Sequence, residues 1–177
     1  IFRDGDHLLA YSKSTLFQEL VNEFRNKSGI QVTAYTYYGA RHTSAQKTFS
    51  QCADIKGLKI RVVGSPLFID MFTAMGANPV QMSWADAQPA LSSGAIDGQE
   101  NPVSIFTAAK LHTVGQKNVT MWGYMIDPLV FVANKEIWNS WTAQDRDIVR
   151  QALPSESLYG FTPDAGLPLG FVAASAA

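Results

Sequence analysis

Arg61 stands in the middle of the apolar run LKIRVV, between Ile60 and Val62. A guanidinium in a central strand is costly to bury unless an anion meets it. Structural and functional arrangements can both satisfy it. One is internal, a salt bridge to Asp or Glu, or else a strand face open to solvent. The other is a fork that holds a ligand carboxylate, for which the planar, bidentate guanidinium is suited. Arg41 follows Gly39 in a loop just past a predicted strand and could supply a second cation. Trp84 follows Ser83 at a predicted helix start, where a flat ring either walls a pocket or packs in the core.

Other candidate chemistry is weaker. Asp97 and Glu100 could form an acid/base pair, but carboxylates beside glycine in a turn are far more often capping groups. His7, His42 and His112 are too dispersed for a metal pair on one helix face, and each reads as a surface or hydrogen-bonding histidine. The sequence contains no G-x-S-x-G elbow, no P-loop and no G-x-G-x-x-G. No catalytic, cofactor or metal constellation is expected.

Composition narrows the class. The chain has 177 residues, 46% of them hydrophobic, with a formal net charge of -1. That supports one ordinary core and is too apolar for a disordered chain. Lys and Arg are scattered, which argues against a nucleic-acid binder. Cys52 is the single cysteine, so no disulfide forms within the chain. No run approaches the ~20 apolar residues of a membrane span. IFRDGDHLLA lacks the plan of a signal peptide and an initiator Met, so the chain is expected to begin partway into a longer protein.

The elements that must position these residues follow from spacing. Leu16, Leu20, Val21 and Phe24 predict a helix over residues 14–27, with Gly29 as its left-handed stop. Residues 30–38 and 58–63 predict strands. Ser65-Pro66 opens a helix closed at Gly76, and a short strand over 78–82 follows. Ser83 with Asp86 caps a helix to Gly94, which Pro89 should kink or shorten. A turn at GAIDGQENPVS, a helix from about Asn101 to Leu111, and strands near 118–122 and 129–133 come next. Thr142 with Asp145 caps a last helix to Leu153, stopped by Pro154. Strand and helix alternate at short intervals, the pattern of an α/β layer fold.

The block DIKGLKIRVVGSPLFIDMFTAMGANPVQMSWADAQPALSSGAIDGQENP resembles the substrate-binding subunits, of the DctP type, of tripartite ATP-independent periplasmic (TRAP) transporters. K-G-L-K-I-R-V, G-S-P, G-A-N-P-V, M-S-W and G-x-I-D-G-Q-E-N-P fall in that family's order. YYGARHTSAQK looks like its G-x-R loop, and DPLVFVANKEIWNSWTAQDR like its returning strand and helix. The likeness runs from about Arg3 to Leu153.

The resemblance implies an α/β, two-lobed periplasmic-binding-protein-like fold with hinge-connected lobes. Residues 1–38 would be part of lobe I, 39–125 lobe II, 126–153 the return to lobe I, and 154–177 an atypical tail. It implies that Arg61 grips the ligand carboxylate, that Arg41 supports it, that Asn101 hydrogen-bonds the ligand and that Trp84 lies against it. Asp97-Gly98 would make a turn that brings Asn101 to the cleft at a helix start, where backbone N–H groups and the helix dipole favour an anion. The implied partners are a small organic acid and TRAP integral membrane subunits, with a monomer in the periplasm. Trp84, Trp122 and Tyr124 lean toward a flat or aromatic acid over a sugar acid. Two rival readings remain open: an α/β enzyme acting on a carboxylate substrate, and a truncated remnant that binds nothing.

Departures from the family pattern are also present. Val63 stands where Pro is usual, Pro89 falls inside a normally unbroken helix, and the sequence after Leu153 is atypical. The family's N-terminal strand and helices, and its C-terminal end, are expected to be missing.

Overall fold

A computed structural model describes residues 2–152. The predicted tail and the stop at Leu153-Pro154 lie outside the described residues. The fold is mixed α/β. Its elements are α1 (Gly5–Ser12), α2 (Thr15–Ser28), β1 (Ile30–Ala45), β2 (Lys59–Val62), α3 (Pro66–Ala74), β3 (Asn78–Gln81), α4 (Trp84–Ser93), β4 (Gly98–Pro102), α5 (Val103–Ala108), β5 (Asn118–Asn134), α6 (Lys135–Ser140) and α7 (Ala143–Ala152). Two 3-10 turns, Cys52–Ile55 and Leu111–Val114, join them.

The described residues divide into two compact units, one of residues 2–39 and 125–152, the other of residues 40–124. In the first, α1 and α2 bury Leu8 and Phe17. The Phe17 ring lies 4.6 Å from that of Tyr35 and 5.5 Å from that of Tyr11. Burial, with Tyr11 and Asp127 nearby, pushes the Tyr35 hydroxyl up to about 12. The α2 helix starts and stops where its caps dictate: Ser14 Oγ accepts the Phe17 N–H, and Gly29 is left-handed at φ 70°. Its apolar stripe, however, is not its buried face. Leu16, Leu20 and Phe24 are exposed, and Phe17, off that stripe, is the residue buried. Periodicity revealed the helix, while the face it buries is set by what packs there.

The second unit holds the sheet's interior. The five strands lie in the order β3-β2-β4-β1-β5. β2 runs parallel to β3 and β4, and β1 runs antiparallel to β4, with His42 opposite Asn101 and Thr43 opposite Glu100. Alternation and register therefore place Arg41, Thr43, Glu100 and Ile60 on one sheet face, and Ser44, Gln99, Arg61 and Val80 on the other. On the Arg41 face lie Phe68 and Phe72 of α3, which are buried. On the Arg61 face, Leu91, Ile96 and Leu111 form a buried cluster, with Val80, Met82, Trp84 and Phe106 packed against it.

Three expectations need correction. Residues 118–122 and 129–133 are not two strands but parts of the single 17-residue strand β5. Arg41 is not in a loop, because β1 continues past Gly39 to Ala45. The segment GQENP is not a turn leading into a helix. It is β4, flanked on both sides, with all five residues buried. Gly and Asn are depleted in strands and Pro lacks a ladder donor, so local propensity pointed the wrong way. Pro89 lies inside α4, whose first half is not shortened: the helix starts at Trp84, behind the expected cap at Ser83, and reaches the left-handed cap at Gly94.

Gly98 shows why that strand needs a glycine. A Cβ there would come within 2.4 Å of the Ser44 carbonyl oxygen on β1 and 3.1 Å of Ile60 Cδ1 on β2. The Ser44 oxygen is backbone held in the β1–β4 ladder and cannot swing away. Gly98→Ala is expected to cost about 1–3 kcal/mol or more of stability, measured by urea unfolding. A wild-type midpoint would show that β1 and β4 are not packed this closely.

Candidate functional site

The four candidate residues all belong to the second unit and form two pairs. Arg61 sits on β2 and is 5% exposed. Its Nε and Nη2 donate to the Met82 carbonyl at 3.2 and 3.0 Å. Its guanidinium carbon lies 5.4 Å from the centre of the Trp84 ring. Trp84 is the first residue of α4, whose start is fixed by Ser83 Oγ accepting the Asp86 N–H. The ring is partly buried against the Leu91–Ile96–Leu111 cluster while it covers Arg61. The core reading of Trp84 therefore holds in part, and the same ring covers the Arg61 guanidinium.

The second pair is Arg41 and Asn101. Arg41 Nη2 donates to Asn101 Oδ1 at 3.2 Å, and Asn101 Nδ2 donates to Gln99 Oε1 at 2.7 Å. Asn101 is on β4 and not at a helix start, and α5 begins only at Val103 behind Pro102. Asn101 therefore lies outside the first turn of α5 and does not bring its amide to a helix N-terminus, as the resemblance implied. What places Asn101 is the carboxyl end of a strand parallel to β2, where open α/β sheets tend to hold their ligands.

Arg41 has a closer partner. Its Nε meets Glu100 Oε2 at 2.5 Å and its Nη2 meets Oε1 at 2.9 Å, a bidentate pair with Glu100 fully buried and Arg41 3% exposed. Phe68 covers the guanidinium, 5.2 Å from ring centre to carbon. The Tyr124 hydroxyl also donates to Glu100 Oε2. Burial first, and then the Glu100 charge, hold that phenol well above its ordinary range. A chain of neutral bonds continues away from the pair: Gln99 Nε2 donates to Ser44 Oγ at 2.7 Å, and Ser44 donates to Gln116 Oε1 at 3.0 Å.

No group of three or more His, Cys, Asp or Glu side chains among the described residues could hold a metal ion. His42 instead accepts the Gly123 N–H through Nδ1 at 3.0 Å, and burial lowers its pKa below the ordinary value. Asp97, expected as a capping group in a turn, instead reaches across to β2, its Oδ2 accepting the Lys59 N–H at 2.8 Å. Among the described residues no helix is long and apolar enough to cross a membrane.

A sheet that buries an Arg61–Trp84 stack at the carboxyl end of its parallel strands can be compared with known proteins. Residues 1–161 match the DctP family, described as bacterial extracellular solute-binding protein, family 7. The chain belongs to that family.

Its DctP relatives agree. A solute-binding protein of Verminephrobacter eiseniae is 33% identical over 147 residues, 82% of this chain and 43% of its own length. The sialic acid-binding periplasmic protein SiaP of Vibrio cholerae is 29% identical over 86% of this chain and 47% of its own. Among solved structures, a TRAP periplasmic solute binding protein from Ralstonia eutropha H16, with bound (S)-2-acetolactate, is 55% identical with a TM-score of 0.74. That match covers 82% of this chain and 46% of the other. One from Roseobacter denitrificans, with bound L-galactonate, is 26% identical with a TM-score of 0.79, over 85% of this chain and 50% of the other. This DctP chain spans about half the length of the relatives it matches.

Sequence reasoning singled out both arginines but missed what Glu100 and Tyr124 do. Glu100 read as a turn cap, and it is the counterion of Arg41. Tyr124 and Trp122 read as hints of a flat ligand. Their rings instead pack 4.8 Å apart, each against Phe72, and Trp122 Nε1 donates to Thr43 Oγ1 at 3.1 Å. The preference for an aromatic acid loses those two supports.

Proposed function

We propose that this chain is the gripping part of an extracytoplasmic solute-binding protein that captures an organic acid by its carboxylate. The single observation that carries the reading is Arg61, a buried cation whose plane is set by Met82 and Trp84 at the carboxyl end of β2. Arg41 and Asn101 supply a second polar pair at the carboxyl end of β4. The ligand would be a small hydroxy or oxo acid, or a sugar acid; the 55%-identical protein holds acetolactate and the 26%-identical one L-galactonate. In this reading the protein acts in the periplasm as a monomer, closes by a hinge between lobe I and lobe II, and hands the acid to TRAP membrane subunits.

A panel of such acids, titrated by calorimetry into the full-length protein that carries this chain, tests the proposal. One or more acids should bind at about micromolar affinity, roughly 8 kcal/mol, and be recovered chemically unchanged. Binding by none of the panel, or steady consumption of a bound acid, would overturn it.

Trp84 gives the site a finer test. Because its ring both covers Arg61 and packs on the Leu91 cluster, Trp84→Ala should weaken acid binding and also lower stability. The stability loss should fall short of the ~3–5 kcal/mol typical of a fully buried Trp. Melting and calorimetry on the same variant check both halves. Lost stability with intact affinity would remove Trp84 from the site.

A further inference from the structure

Glu100 Oε2 is shared. It accepts Arg41 Nε from β1 and the Tyr124 hydroxyl from β5, while Oε1 takes Arg41 Nη2. The carboxylate lies fully buried on β4, the strand beside β1. A carboxylate with two oxygens and a single bidentate partner can still rock about its terminal torsion, which is broad and nearly two-fold. A third donor, arriving at one oxygen from another strand, fixes that torsion. The guanidinium that reads the carboxylate is then fixed with it.

We propose that Tyr124 is a positioning residue: its hydroxyl locks the Glu100 carboxylate, which in turn orients Arg41 toward the ligand acid. This rests on the functional reading above, in which Arg41 supports the bound carboxylate. Tyr124 is well placed for the role because its ring is itself held, 5.9 Å from Phe72 and 4.8 Å from Trp122. Removing the hydroxyl leaves that ring packing intact, so the orienting bond can be deleted without opening a cavity.

The test is a double-mutant cycle in the full-length protein that carries this chain, read by calorimetry with the tightest-binding acid of the panel. Tyr124→Phe should weaken binding about three- to tenfold, the scale of one ordinary hydrogen bond, because the deleted bond acts on the ligand only through Arg41. Its melting temperature should fall by no more than the loss of one buried hydrogen bond allows, with the cooperative melt retained. In an Arg41→Met background the same Tyr124→Phe change should have no further effect on affinity. A purely structural tyrosine would not show that coupling. Two results overturn the positioning role alone: unchanged affinity in Tyr124→Phe while Arg41→Met weakens binding, or an equal loss in both backgrounds. Full affinity in Arg41→Met would instead remove Arg41 from the site and the positioning role with it, leaving the assignment of Arg61 standing.

Discussion

Replacing Arg61 by lysine should weaken organic-acid binding by roughly 10–100-fold, because the change removes geometry while keeping charge. In the native site one edge and the face of a rigid plane do different work. Nε and Nη2 both point at the Met82 carbonyl, at 3.2 and 3.0 Å, and the face of the plane lies under Trp84 at 5.4 Å. Under the proposed function, the ligand carboxylate meets a plane whose orientation Met82 and Trp84 have already fixed. An ammonium has three donors around one point, so it cannot hold Met82, stack on the indole and grip two carboxylate oxygens together. Each charge-assisted bond lost is worth about 1.5–3 kcal/mol. At 5% exposure the lysine also loses hydration that its compact charge needs more than a guanidinium does. The measurement is calorimetry on Arg61→Lys in the full-length protein, with a thermal melt of the ligand-free variant alongside. Parent-like affinity would remove Arg61 as the gripping residue and take the proposed function with it.

Where the sequence could be read, the signal was a local rule with one physical cause. Ser14, Gly29, Ser83 and Gly94 mark helix ends through cap hydrogen bonds or positive φ, and those helices lie where the caps put them. Arg61 was conspicuous because a charge inside KIRV contradicts its neighbours. The failures share a cause as well. GQENP has the composition of a turn, and only its place between β1 and β2 makes it a strand. Its polar side chains are satisfied by residues far along the chain, Arg41 and Ser44 above all. No window of sequence contains such a pairing. Likewise the Leu16–Leu20–Phe24 stripe obeys helical periodicity, yet it is exposed, since which side a helix buries depends on what packs there. Arg41 was noticed as a cation, but its register opposite Pro102 and its bond to Glu100 arise from strand pairing.

Glu100→Ala is expected to be the most destabilising single change in the second unit, at about 3–5 kcal/mol, and the reason is not the strength of the ion pair itself. A buried pair gains in mutual attraction roughly what its two ions lose in hydration, so its net contribution is small. Removing one partner breaks that balance. Arg41, which cannot shed its proton, would be left 3% exposed without its counterion, its Nη2 keeping only neutral acceptors in the Asn101 side chain and the residue 100 carbonyl. The Tyr124 hydroxyl would lose its acceptor at the same time. Two variants separate this account from a simple cavity. Glu100→Gln keeps the volume and one carbonyl oxygen but drops the charge, so under the unpaired-charge argument it should still lose a large share of the stability. Arg41→Met combined with Glu100→Leu removes both charges and should recover most of it, while binding the organic acid poorly. Urea unfolding of the full-length variants measures all three. If Glu100→Gln unfolds like the parent, or if the apolar double variant is no more stable than Glu100→Ala, then packing and not charge pairing holds β1 to β4. In that case the Glu100 carboxylate does not organise the Arg41 half of the site.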